Sequence, residues 1–172
     1  MEIGTRRLLL RRARETDLEA VHAYMGDRRV MQYWSTAPHP DRDHTRIWLE
    51  NMIAAPTATS EDYLIELNGR VIGEAGSNPL PEFGFILHRD YWGQGLAYEA
   101  SRAVVRNIFK RRPIDTLTAD VDPRNAGSIG LLRKLGFRQN GEAKRTFFVN
   151  GEWVDSLYFR LDRPASRLHG GW

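Results

Sequence analysis

Gly93 and Gly95 stand one residue apart in the run Tyr91-Trp92-Gly93-Gln94-Gly95-Leu96-Ala97. An apolar stretch (Phe83 to Leu87) precedes them and a helix-like segment (Leu96 to Lys110) follows. Strand, glycine turn, helix is the order that builds an anion cradle. Glycine has no Cβ, so successive backbone N–H groups can converge on a phosphate. The first turn of the helix adds unpaired N–H groups and a partial positive charge. The third glycine of a dinucleotide fingerprint is missing, because Leu96, Ala97 and Tyr98 follow Gly95. No early parallel βαβ unit precedes the turn either, which argues against a Rossmann-type site. His88 and His22 have suitable chemistry for proton transfer, yet each stands alone. No metal is expected, since no His-x-x-x-His or comparable ligand spacing occurs. With no cysteine in the chain, disulfides, thiolate metal sites and a Cys nucleophile are excluded.

These groups need a scaffold, and 172 residues suffice for one domain with a buried core. Apolar content of 41% and charged content of 27% are those of a soluble globular protein. No apolar run approaches a membrane span, and the first residues lack the hydrophobic region of a targeting peptide. The net charge of +3 is mild, and no nucleic-acid-binding motif accompanies it. Alternation over Arg6 to Ala13 predicts a first strand. Thr16-x-x-Glu19 reads as a capping box opening a helix to Met25. Asp27 to Trp34 is a short helix or turn. Asp41 caps a helix through Ile53, with Trp48, Met52 and Ile53 clustered. Asn68-Gly69 and Asn150-Gly151 predict two hairpins. Glu82 to His88 and Ile114 to Val121 read as strands, Leu96 to Lys110 as an amphipathic helix, and Ala126 to Leu135 as a helix ended by Gly136. The order predicts an α/β fold: one mixed sheet with helices on both faces.

Two segments then line up. One is Glu82-Phe83-Gly84-Phe85-Ile86-Leu87 with the glycine turn; the other is Asn125-x-x-Ser128 with Leu131-Leu132-Arg133-Lys134-Leu135-Gly136-Phe137. Together they resemble the GNAT superfamily of N-acetyltransferases, most closely its ribosomal-protein-alanine acetyltransferase branch. Arg11-x-x-x-Glu15-x-Asp17-Leu18 and the 27–34 stretch resemble that branch too. The resemblance spans residues 6–162 as one domain, leaving 163–172 as a tail. It implies a central sheet splayed at the acyl-CoA site.

The resemblance further implies acetyl-CoA as co-substrate. Its pyrophosphate would rest on the turn from Trp92 to Ala97, chiefly on the N–H groups of Gly93, Gln94, Gly95, Leu96 and Ala97. Its pantetheine arm would bond along Phe85, Ile86 and Leu87, with Asn125 nearby and Ser128 near the sulfur. Of Arg89, Arg133 and Lys134, Lys134 is the best candidate for a CoA phosphate. Many members carry a tyrosine acid where this chain has Leu132, so proton donation falls to Ser128. Glu82 matches the acidic position facing the acceptor and is the candidate base, with Glu74 behind it. Trp34 and Phe148 are candidate walls of the acceptor pocket, core packing being the other role open to them. The expected reaction is direct acetyl transfer to a primary amine, a protein N-terminus or a small molecule. The alternative is a catalytically weak acyl-CoA-binding regulatory module. Neither nucleic acid nor membrane is an expected partner. A cytoplasmic monomer or homodimer is expected.

Overall fold

The structure, a computed structural model, describes residues 2–164. The tail expected after residue 162 lies outside the described residues from 165 onward. The elements are β1 (Glu2–Gly4), β2 (Leu9–Arg11), α1 (Leu18–Met25), α2 (Arg42–Ala54), β3 (Glu61–Leu67), β4 (Arg70–Ser77), β5 (Phe83–Leu87), α3 (Leu96–Arg111), β6 (Thr116–Val121), α4 (Ala126–Leu135), β7 (Arg138–Val149) and β8 (Glu152–Asp162). No helix among the described residues is long and apolar enough to cross a membrane.

Two Asn-Gly pairs set the antiparallel register. Asn68 and Gly69 (φ 51° and 78°) join β3 to β4, and Asn150 and Gly151 (φ 53° and 85°) join β7 to β8. All four take the left-handed backbone that a tight two-residue hairpin requires. Five strands pair antiparallel in the order β1-β2-β3-β4-β5, and three in the order β6-β8-β7. A single parallel bridge, Glu82 with Thr118, joins the halves, and the Thr118 N–H donates to the Pro81 carbonyl at 3.0 Å. Past that bridge β5 and β6 part, and the mixed sheet opens as expected.

Helices cover both faces. Ala100, Val104 and Ile108 of α3 and Leu132 of α4 pack with Ile65, Phe83, Leu117 and Phe159. On the other face Val21 and Tyr24 of α1 and Leu49 and Met52 of α2 pack with Leu64, Val71 and Ile86. Each fully buried side chain of this kind contributes roughly 1.5–3 kcal/mol. Asp41 caps α2 as expected, accepting the His44 N–H at 2.9 Å.

Three expectations need correction. The strand placed at residues 6–13 is only β2, and a further short strand, β1, precedes it across a turn that the Thr5 N–H closes onto the Leu8 carbonyl. The Thr16-x-x-Glu19 box does not form: Glu19 pairs with Arg42 at 2.6 Å, and Asp17 accepts the Arg14 N–H at 2.8 Å. Ile53 is exposed, and Leu49, one turn earlier, fills the core instead.

Asp17 does more than start the helix. Arg11 forks onto its carboxylate with two 2.8 Å bonds and reaches Glu66 at 2.6 Å, all three being largely buried. Burial pushes the Asp17 carboxyl up, but the Arg11 fork and the Arg14 N–H outweigh it and hold it below 3.8. Replacing Asp17 by Ala is expected to cost about 2–3 kcal/mol in denaturant unfolding, because it leaves two donors of a buried guanidinium unpaired while Glu66 keeps the third. Since the folded value lies below the unfolded one, this contribution is complete above about pH 4 and fades as pH falls through the folded value. An unfolding free energy unchanged by the substitution would remove the ion triad from the fold's support.

Candidate active site

β5 ends at Leu87, a 3₁₀ turn (Arg89–Tyr91) follows, and α3 starts at Leu96. Between them Gly93 and Gly95 sit at φ 73° and 74°. The Gly95 carbonyl accepts the Glu99 N–H at 3.1 Å, so the N–H groups of Leu96, Ala97 and Tyr98 begin the helix without helical partners. A Cβ added at Gly93 would meet nothing within 4 Å, and one at Gly95 only Arg7 Nη2 at 3.7 Å. The space above the loop is open. Its outer side is strapped down: Arg7 donates to the Gln94 carbonyl at 3.0 Å and to Glu99 at 2.7 Å, and Thr5 donates to Glu99 at 2.7 Å. The Gln94 side chain turns back to the Asp90 carbonyl at 3.2 Å. Burial raises the Glu99 carboxyl, but Thr5 and Arg7 outweigh it and keep it low. The carboxylate at the head of α3 is thereby paired by Arg7.

The opened sheet supplies the next surface. The His88 N–H donates to the Ile72 carbonyl at 2.8 Å. By the alternation of an antiparallel ladder, Ile86 and Gly84 also turn their polar groups to β4, and Phe85 and Leu87 turn theirs to the free edge. Ile86 therefore lines the cleft without offering its backbone. The Leu87 carbonyl is taken by the Trp92 indole N–H at 2.7 Å. That leaves the Phe85 N–H and carbonyl and the Leu87 N–H for a ligand. Across the gap, Asn125 caps α4 by accepting the Ser128 N–H at 3.0 Å, and Gly136 ends it at φ 97°.

These parts enclose a cleft of about 790 Å³ between β5, β6, α3 and α4. Phe85, Ile86, Leu87 and Trp92 line it, as do Gly93, Gly95, Leu96 and Ala97, then Asn125, Ser128 and Lys134. Gln94 does not. The Lys134 ammonium lies 4.5 Å over the Tyr98 ring at this cleft. Arg89 is held by Asp27 at 3.2 Å, and Arg133 is exposed away from the cleft. His22 is engaged with the Thr45 hydroxyl at 2.7 Å and serves the α1–α2 packing.

A second cavity of about 480 Å³ adjoins the first. Tyr33, Trp34, Phe83, Gly84, Asp120 and Asp122 line both, so the two meet there. Glu82 and Glu74 line the second cavity, as does Asp62. Burial pushes the Asp62 carboxyl up to about 6, despite the opposing charge of Arg12. Burial, then the Asp62 charge, raises Glu74 well above its ordinary value. Burial also raises Asp120 against a hydrogen bond from Ser156. Phe148 lines neither cavity: it is 62% exposed and packs at a tilt against Trp153, while its neighbour Phe147 lines the second cavity. Among the described residues no group of three or more His, Asp or Glu is arranged to hold a metal ion.

The GNAT acetyltransferase domain model matches residues 7–138. The chain belongs to the GNAT acetyltransferase family. It is 27% identical over 154 residues to an Escherichia coli spermidine N(1)-acetyltransferase, covering 86% of this chain and 82% of that one. It is 32% identical over 81 residues to the E. coli [ribosomal protein uS5]-alanine N-acetyltransferase, covering 47% and 42%. A GNAT-family acetyltransferase structure from Bacillus anthracis superposes with a TM-score of 0.82 at 28% identity, covering 94% and 98%.

As a GNAT acetyltransferase the protein is an enzyme that uses acetyl-CoA as co-substrate. The geometry fits that molecule. The glycine loop offers converging N–H groups for a pyrophosphate, and the free β5 edge offers strand-like bonds for an amide arm. Sequence reasoning missed Asp62, Asp120 and Asp122. A charged residue inside a strand pattern reads as an outward one unless the far side of the sheet is known to hold a cavity. It missed Arg7 for want of any signal, because its partner Glu99 is 92 residues away.

Proposed function

We propose that this acetyltransferase transfers the acetyl group directly to a primary amine bound in the second cavity. The meeting of the two cavities at Trp34, Gly84 and Asp120 carries this reading. The amine lone pair attacks the thioester carbonyl carbon, a C–N bond forms and the C–S bond breaks. The Leu87 N–H at the free edge stabilises the developing oxyanion. Glu82 accepts the proton lost from the ammonium, directly or through one water. Ser128 gives a proton to the departing thiolate; Leu132 is buried and apolar and cannot. Asn125 and Lys134 steady the CoA end, and Trp34 walls the acceptor. The domain over residues 6–162 acts as one unit, and the cysteine-free sequence fits action in the cytoplasm. Acceptors of both classes occur among relatives, a protein N-terminal alanine and spermidine.

The test is thiol release from acetyl-CoA across a panel of amines. The expected result is free thiol in step with acetylated amine. Tight CoA binding without thiol release from any amine would leave an acyl-CoA-binding module and overturn the proposal.

A further inference from the structure

Three adjacent strands present a carboxylate to the same face of the sheet. Register pairs Leu64 with Glu74, Glu74 with Ile86, and Asp62 with Gly76. Leu64 and Ile86 face α1 and α2, so Asp62 on β3, Glu74 on β4 and Glu82 ahead of β5 share that side. Two glycines keep the floor open. A Cβ at Gly76 would come within 2.4 Å of the Asp62 Cα and Oδ1, and one at Gly84 would point into open space.

Among the described residues the second cavity is lined by six carboxylates (Asp62, Glu74, Glu82, Asp120, Asp122 and Asp155) and by no lysine, arginine or histidine. Two of the six are neutralised from outside, Asp122 by Arg124 at 2.6 Å and Asp155 by Lys144 at 2.9 Å. Arg12 lies near Asp62, but its hydrogen bonds go to the Asp62 and Ser60 carbonyls and the Ser60 hydroxyl. Glu74 is 6% exposed and, among the described residues, accepts only a 3.4 Å bond from the buried Tyr24 hydroxyl. Asp62 beside it is half-buried and opposed by the Arg12 charge and the Tyr63 N–H, but the buried Glu74 carboxylate with so little compensation is unfavourable until a cation reaches it. The walls beside the pair are Trp34, Trp48 and Met52, which suit methylene groups and a cation over an aromatic face.

We propose that Asp62 and Glu74 form an ammonium subsite. They receive the second cationic nitrogen of a diamine or polyamine whose first amine is acetylated where the cavity meets the CoA cleft. This rests on the acetyltransferase reading and names its acceptor class. From β5 to β3 is two strand spacings, roughly 10 Å. The acceptor therefore carries its two nitrogens at the ends of a flexible aliphatic chain. A peptide N-terminus brings one ammonium and would leave the pair with Arg12 alone against two carboxylates.

The experiment compares α,ω-diaminooctane with octylamine at saturating acetyl-CoA, in the wild-type enzyme and in Glu74→Gln and Asp62→Asn. Calorimetric titration of the diamine into the CoA-bound protein runs in parallel. The wild type is expected to prefer the diamine in kcat/KM. Each variant is expected to raise the diamine KM about tenfold or more, with a far smaller change in kcat, the scale of one lost charge-assisted bond. Equal kcat/KM for the two amines, or a diamine KM unmoved in both variants, overturns the subsite. Thiol release with octylamine or an alanyl peptide but not the diamine also overturns it, and leaves the acetyltransferase reading intact. Diamine binding that depends on Glu74, without thiol release from any amine, supports the subsite and overturns the acetyltransferase reading instead.

Discussion

Gly95→Val is expected to weaken acetyl-CoA binding about 100-fold while the fold stands. Gly95 sits at φ 74°, where a β-branched residue is strained by roughly 1–3 kcal/mol. The variant relieves that strain by turning the peptide, and the N–H groups from Gly93 to Leu96 then no longer converge. Losing one or two hydrogen bonds to a charged pyrophosphate costs about 1.5–3 kcal/mol each. A total near 3 kcal/mol is about two decades in dissociation constant. The scaffold has little reason to respond. The new Cβ finds only Arg7 Nη2 at 3.7 Å, and the loop remains tied through Arg7 and Glu99. Calorimetric titration with acetyl-CoA reads the affinity, and circular dichroism confirms the fold. An unchanged affinity would mean that the pyrophosphate does not rest on this loop.

The second large effect concerns the proton. Glu82→Gln is expected to lower kcat by about 10²–10⁴ at neutral pH with acetyl-CoA affinity intact. Glu82 heads β5 where the parallel bridge to Thr118 fixes its backbone, and its exposed side chain lines the second cavity. Gln keeps the shape and the polarity but cannot take a proton from an ammonium. Stability should move by no more than about 0.5 kcal/mol, as for other exposed substitutions. Steady-state turnover with a saturating amine decides the matter, and wild-type kcat in the variant would remove Glu82 from the mechanism.

Much of the donor half was legible in the residues. The glycine turn, the Gly136 stop and both Asn-Gly hairpins depend on local backbone chemistry. Such features act within four or five residues, so spacing suffices to find them. Gln94 shows the limit, since which loop residue faces the cleft follows from the strap through Arg7, 87 residues away. Ile86 shows another. Backbone direction on a strand edge depends on its neighbour β4, and only the register revealed that Phe85 and Leu87 face the opening.

The acceptor half was far less legible. Phe148 and Phe147 differ by one step, and a step of one flips a strand residue to the other face. β7 carries register shifts at Gln139/Gly141 and Ala143/Phe147, so simple alternation along it cannot be trusted to say which phenylalanine faces the cavity. Asp62 and Glu74 lie twelve residues apart in the chain and meet because a bulge and a hairpin place them diagonally on one face.

The sequence by itself determined most of the elements and the glycine turn, because short-range turn chemistry and hydrophobic periodicity are written in neighbouring residues, and the resemblance of its two motif segments pointed to the family. The tertiary structure alone decided where the sheet opens, past Glu82 and Thr118, and that carboxylates from β3, β4 and β6 gather in one cavity. It did so through pairing registers and long-range ion pairs, whose partners lie too far apart in the chain for any local pattern to record.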